Sequence, residues 1–155
     1  MSTTATPTKP ASKPPFEMPP MSAEHQATDK VAKRLVELVS GRKNLDAIQE
    51  LYADNVRQIE VMGGPGCERV TEGKATLLQK AEQFHKSITV HGSTVGKPIT
   101  NGDQFILPMS LDSTFNEGPM AGMRMNMQET ALYTVKNGKI TEAKFFYSGC
   151  GMDEK

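Results

Sequence analysis

Residues 123–147, MRMNMQETALYTVKNGKITEAKFFY, alternate apolar and polar side chains on either side of an Asn-Gly pair. Alternation with a period of two, folded about a dipeptide that tolerates positive φ at both positions, predicts an antiparallel β-hairpin with one covered and one wet face. Counting in twos, Met123, Met125, Met127, Glu129, Ala131, Tyr133 and Val135 share a face, while Arg124, Asn126, Gln128, Thr130, Leu132 and Thr134 share the other. Glu129 therefore stands in the apolar row. A bare carboxylate is costly to bury, so this one must be solvated by a cavity, paired, or held partly protonated. Its position marks a pocket.

The bulk composition narrows the function classes. At 155 residues the chain is about one domain long. Eighteen basic residues balance eighteen acidic ones, and no Lys/Arg cluster is present, which argues against nucleic acid or an anionic membrane surface as partner. No apolar run approaches the roughly 20 residues needed to span a bilayer. The N-terminus has no apolar signal-peptide core, and the only cysteines, Cys67 and Cys150, form no CxxC pair. A cytoplasmic protein with free thiols is the expectation.

The first 20 residues hold six of the ten prolines and almost no apolar side chains. They cannot repay the entropy of ordering, so residues 1–21 read as a disordered Pro-rich tail, 22–150 as the domain and 151–155 as a flexible C-terminus. Ala27, Val31, Leu35, Leu38 and Val39 recur at helical spacing before a stop at Gly41. Asn44 is placed to cap a second helix with the stripe Leu45, Ile48, Leu51 and Tyr52, ending near Asp54. A strand is expected over Val56–Met62, a third helix over Lys74–Lys86, and strands over Ile88–Ile99, Gln104–Phe115, Met123–Lys136 and Lys139–Ser148. Asn101-Gly102 and Asn137-Gly138 fall at the two tight joins. Helices followed by a long meander predict an α+β domain in which a curved antiparallel sheet is packed by about three N-terminal helices and leaves a hollow on its concave side.

This order of elements, with the stretches LVELVSGRKNLDAIQELYADNVRQIEV and ALYTVKNGKITEAKFFYS, resembles the nuclear transport factor 2-like superfamily, in particular its SnoaL-like and ketosteroid isomerase branch. The resemblance covers roughly residues 28–148 and lies in pattern and spacing rather than in one motif. It implies a cone-shaped sheet, commonly dimeric through that sheet, whose hollow takes small hydrophobic molecules. It also implies roles for individual positions. Glu60, eight residues past Tyr52 in YADNVRQIE, stands at the place of the proton-shuttling carboxylate. The oxyanion tyrosine of the isomerases falls at Leu35 and their protonated aspartate at Ala131, so neither of those donors is present. Tyr147 occupies an aromatic wall position, Phe145 and Ala143 share its face, and Tyr52 and Glu129 point into the same hollow. The Asp-Pro that follows the first strand in the family is replaced by EVMGG.

On this reading Glu60 and Glu129 are a carboxylate pair in an apolar cup, suited to taking a proton from carbon beside a carbonyl or protonating a leaving hydroxyl. The bland alternative is that either glutamate pairs with Arg57, Arg69 or Arg124, or lines a wet cavity without chemistry. Met109, Met120, Met123, Met125 and Met127 form either an adaptable binding wall or plain core and interface filling. His85 and His91 have no partner by spacing, and no HxH or HxxxH pair suggests a metal. GGPGCERVTEGK lacks phosphate-loop spacing, Cys67 has nothing nearby to lower its pKa, and no GxSxG elbow is present.

The expectation is thus a homodimeric small-molecule-binding protein with Glu60 and Glu129 as catalytic candidates. Leu35, Tyr52, Met127, Ala131, Tyr133, Phe145 and Tyr147 are its ligand-binding candidates. Its ligand would be a small apolar carbonyl or hydroxyl compound. If it is an enzyme, it is an isomerase, cyclase or lyase that uses neither cofactor nor metal and partners neither nucleic acid nor membrane. The alternative is a non-catalytic dimerisation or interaction module with a residual pocket.

Overall fold

Ser22 opens the first helix, its hydroxyl accepting from the His25 N–H at 3.1 Å. In the computed structural model, which describes residues 2–13, 15–63 and 68–148, helix α1 runs Ala23–Ser40 and presents Thr28, Val31, Ala32, Leu35 and Leu38 to the interior. Gly41 caps it as expected, donating its N–H to the Glu37 and Val39 carbonyls. Helix α2 spans Asn44–Leu51. Asn44 is its first helical residue rather than its cap, which is Lys43, and no side chain caps the helix. The Asn44 amide instead turns inward, Nδ2 lying 3.5 Å from His85 Nε2.

Strand β1, Tyr52–Ile59, begins earlier than expected. Tyr52 fits the apolar stripe of α2, but its backbone is extended (φ −91°, ψ 141°) because it pairs with Ile140 in the sheet, so the helix stops at Leu51 rather than near Asp54. Then follow β2 (Val70–Glu72), α3 (Lys74–Ser87), β3 (Ile88–Val95), β4 (Ile99–Asn101), β5 (Gln104–Phe115), β6 (Arg124–Lys136) and β7 (Lys139–Phe146). The short strands β2 and β4 carry too few residues to show a period. Residues 88–99 read as one strand, yet Gly96, Lys97 and Pro98 break it in two.

The sheet order is β2-β1-β7-β6-β5-β3, with β4 also on β5. The sheet is curved and unclosed, and the three helices complete the expected α+β cone. One pair departs from the antiparallel rule: β1 and β7 run parallel, with Gln58 opposite Ala143 and Ile59 opposite Lys144. Between them the chain visits the far edge of the sheet through α3 and β3, and the last strand returns to fill the gap beside the first.

Asn137 (φ 51°) and Gly138 (φ 75°) form the β6–β7 turn as anticipated. The β4–β5 turn is centred one residue later than expected, on Gly102 and Asp103, with Asn101 opposite Gln104; Gly102 has φ 60°. The core joins Val31, Ala32, Leu35, Leu38, Ala47, Ile48, Leu51 and Leu77 from the helices to Tyr52, Val56, Phe105, Leu107, Ala131, Tyr133, Val135, Ile140 and Ala143 from the sheet. Cys67, Cys150 and part of the Gly-Gly-Pro-Gly loop lie outside the described residues.

Gly96 shows how tightly the break between β3 and β4 is held. Its N–H donates to the Pro108 carbonyl at 2.8 Å, and an added Cβ would sit 2.6 Å from Pro108 Cγ and 3.1 Å from that carbonyl. Neither neighbour is the end of a flexible side chain. Gly96→Val is expected to lower stability by about 1–3 kcal/mol, read as a lower midpoint in urea unfolding at unchanged slope.

Candidate functional site

The chain after β1 is pinned before any chemistry is considered. The Glu60 N–H donates to the Arg69 carbonyl at 2.8 Å, and Arg69 Nε donates back to the Glu60 carbonyl at 3.2 Å. Val56, Gln58 and Glu60 follow the two-residue period of β1, so Glu60 faces inward with the buried Val56. Gln58 Nε2 donates to Glu60 Oε1 at 2.9 Å, and the Tyr147 hydroxyl donates to Glu60 Oε2 at 3.2 Å. Both carboxylate oxygens therefore have a neutral donor.

Glu129 sits on β6 directly opposite Met109 of β5. The pairing of β6 with β7 sets Ala131 opposite Phe145. Continued by one alternation, the same register brings Glu129 level with Tyr147. The two glutamates thus flank one tyrosine across three neighbouring strands. In the core beside them, Tyr133 stacks on Phe105 with ring centroids 4.8 Å apart and meets Phe145 edge-on at 6.3 Å. The buried phenols of Tyr52 and Tyr133 lie close enough to influence each other.

The electrostatics follow from this packing. Burial pushes the Glu129 carboxyl up to about 7, and the nearby negative charge of Glu60 adds to the effect. Burial also raises Glu60, but the bonds from Gln58 and Tyr147 favour its ionised form and oppose the rise. Burial raises both Tyr52 and Tyr133 as well; their next-largest influences are each other's hydroxyl and the glutamates. No Lys or Arg side chain among the described residues pairs with either carboxylate. Arg57 goes to Glu72, Arg124 to Asp112, and Arg69 to the Glu60 main chain. The alternative of a simple ion pair is not what the structure shows.

An open cavity of about 600 Å³ touches this region. Strand alternation assigns Thr94, Pro108, Gln128, Thr130, Phe146 and Ser148 of its lining to the outer face of the sheet, and Val95, Met109, Glu129 and Tyr147 to the inner face. Most of its wall is thus outer-face side chain. Glu60, Tyr52, Tyr133 and Phe145 do not line it.

The structure brings Glu60, Glu129, Tyr52, Tyr133, Phe145 and Tyr147 together. Leu35, Tyr52, Ala131 and Tyr133, 1%, 5%, 0% and 2% exposed, are core residues outside the cavity lining. Met127 is half-buried opposite Leu111, two residues from Glu129 toward the β5–β6 loop. Sequence reasoning missed Gln58, although its place two residues before Glu60 on the same strand face was a usable signal. His85 contacts Asn44, and His91 hydrogen-bonds Thr114 Oγ1 at 2.7 Å on the outer face, both away from the carboxylates. Among the described residues no group of three His, Cys, Asp or Glu is placed to hold a metal ion, and no helix is long and apolar enough to cross a membrane.

Comparison with known proteins agrees with this fold. The family model for the SnoaL-like domain matches residues 26–147. The chain belongs to the SnoaL-like family. This SnoaL-like protein is 41% identical to a candidate SnoaL-like polyketide cyclase from Mesorhizobium loti, over 76% of this chain and 97% of that one, with a TM-score of 0.71. A candidate isomerase from Bacillus subtilis superposes with a TM-score of 0.63 at 13% identity, covering 82% of this chain and 90% of that one. An LEH-like epoxide hydrolase from M. tuberculosis gives 0.60 at 10% identity, covering 81% and 85%. The last two show the shared fold alone. No curated protein matches the chain.

Proposed function

We propose that this SnoaL-like protein binds a small, largely apolar carbonyl or hydroxyl compound and acts on it without a cofactor, as an isomerase, cyclase or lyase, by general acid–base catalysis. The observation that carries the reading is the unequal pair. Glu60 has two neutral donors on its carboxylate, whereas the Glu129 carboxyl has no hydrogen-bond partner among the described residues and is pushed up to about 7. Two acids whose surroundings separate their proton affinities divide naturally into base and acid. Glu60, ionised, removes a proton from carbon next to a carbonyl; Glu129, protonated, polarises the oxygen or delivers a proton to a leaving hydroxyl. Tyr147 orients Glu60, and Val95 and Met109 beside Glu129 supply the apolar wall. The polyketide-cyclase name of the 41%-identical relative fits such chemistry.

The expected test result is a specific pH profile. Activity on a carbonyl substrate requires Glu129 protonated, so kcat/KM should fall as pH rises through about 7. Glu129→Gln should abolish that alkaline limb. Glu60→Gln should lower turnover by roughly 100-fold or more while leaving ligand affinity within a few-fold. Turnover that is indifferent to Glu60→Gln would overturn the assignment.

The second reading, a dimerisation or interaction module, has its own support. Ile99, Ile106 and Phe146 are exposed, and Ile106 and Phe146 lie on the outer face of the sheet. A homodimer through that face is compatible with either reading, because the carboxylates are on the other side.

A further inference from the structure

One of the two donors to Glu60 is built into the strand that leads to it. Gln58 lies two residues earlier on the same strand face, and its Nε2 donates to Glu60 Oε1 at 2.9 Å. Its backbone is set from both sides, by Thr71 of β2 and Ala143 of β7, which stand opposite it. The second donor, Tyr147, reaches Oε2 at 3.2 Å from one residue beyond the end of β7. Hydrogen bonds to an ionised acceptor are roughly twice as strong as neutral ones, so both donors favour the carboxylate form. Glu129, opposite Met109, has no such donor among the described residues. Charges on the neighbouring elements are engaged elsewhere. Arg57 pairs with Glu72, Lys74 with Asp54 and Arg69 with the Glu60 main chain; Glu142 stands opposite Arg57. Lys80 of α3 donates to Thr71 Oγ1 at 2.9 Å, and Lys144 of β7 lies over the Phe146 ring. The ionisable groups that face Glu60 are thus Glu129, Tyr147 and, on the core side, Tyr52 and Tyr133.

Resting on the reading of Glu60 as base and Glu129 as acid, we propose that Gln58 is the positioning residue that assigns these roles: its amide holds Glu60 as the ionised member of the pair, so that the proton resides on Glu129. Two features give Gln58 this part ahead of Tyr147. Its bond is the shorter of the two. Its anchor lies inside the sheet, paired on both sides, whereas Tyr147 follows the last residue of β7. The amide does not ionise, so its donation persists while the carboxyl groups titrate. A negative charge kept on Glu60 in turn helps to keep Glu129 protonated. Gln58 acts through Glu60 and touches no reacting atom.

The test follows the carboxyl groups themselves and needs no substrate. Protein labelled with carbon-13 at the glutamate side-chain carboxyl is titrated by NMR, with Glu60→Gln and Glu129→Gln identifying the two signals. In the parent protein Glu60 should titrate below Glu129, whose midpoint lies at about 7. Gln58→Met keeps the length and removes the donor. It should raise the Glu60 midpoint by about one pH unit, a tenfold gain in proton affinity, and bring the two titrations together. Tyr147→Phe should raise it less. Thermal melting of each variant confirms that it folds. The unsubstituted protein supplies a second reading, because the Gln58 side-chain amide protons should shift with the Glu60 titration. A Glu60 midpoint that stays in place or falls in Gln58→Met, a larger rise in Tyr147→Phe, or amide protons indifferent to the Glu60 titration overturns the role of Gln58 and leaves the carboxylate pair standing. Two glutamates that both titrate near the ordinary 4.5 in the parent protein overturn the pair as well.

Discussion

Glu129→Gln should be more stable than the parent protein at about pH 8, by roughly 2–3 kcal/mol, and equally stable at about pH 4. The sign follows from linkage. In the unfolded chain Glu129 titrates near its ordinary 4.5, and in the folded protein near 7, so the folded state binds more protons between those values. Stability is therefore lost as pH rises through that window, and the full penalty is present above it. Glutamine keeps the shape and removes the charge, so the penalty disappears. For a domain of this size the difference amounts to about 10 °C in melting temperature at alkaline pH. Paired melts across the pH range check it; curves that stay parallel would mean that Glu129 is well solvated and not a group held near neutrality.

Phe105→Ala should be the most destabilising of the single changes considered, costing about 3–5 kcal/mol. Phe105 is 1% exposed and among the largest fully buried side chains, so truncation leaves a void the surrounding sheet cannot close. Its ring also fixes Tyr133 by stacking at 4.8 Å. Loosening Tyr133 also disturbs its edge contact with Phe145, so on the proposed ligand reading affinity should fall together with stability. Guanidinium unfolding measures the first effect. Phe84→Ala is the control, since Phe84 is 40% exposed and its loss should change stability by less than about 1 kcal/mol.

How much of this was legible in the sequence depended on the length over which a pattern could run. The β6–β7 hairpin, the inward placing of Glu129 and the three helices are local or strongly periodic, and the residues stated them directly. Tyr52 was misplaced on a helix because its apolar character fits both a helical stripe and a strand; the partner that decides, Ile140, is 88 residues away. The break at Gly96 depends on Pro108 and is likewise invisible along the chain. Glu60 was reached through family resemblance, not through periodicity. Its donors were harder: Tyr147 was placed in the hollow, but its bond to Glu60 requires the parallel β1–β7 contact, which no local signal encodes. Leu35 and Ala131 took ligand roles only from the positions at which the family resemblance implies hydrogen-bond donors. Here apolar side chains fill those positions and the core closes over them.

The parallel contact between the first and last strands has a consequence for biogenesis. One of the two donors to Glu60 belongs to a residue 87 positions later, so a nascent chain on the ribosome lacks that bond until nearly all of the domain has been translated. Closing so distant a contact is entropically slow, which makes docking of the β6–β7 hairpin against β1 a natural late event in maturation and leaves the open edge of β1 exposed to mispairing until it occurs.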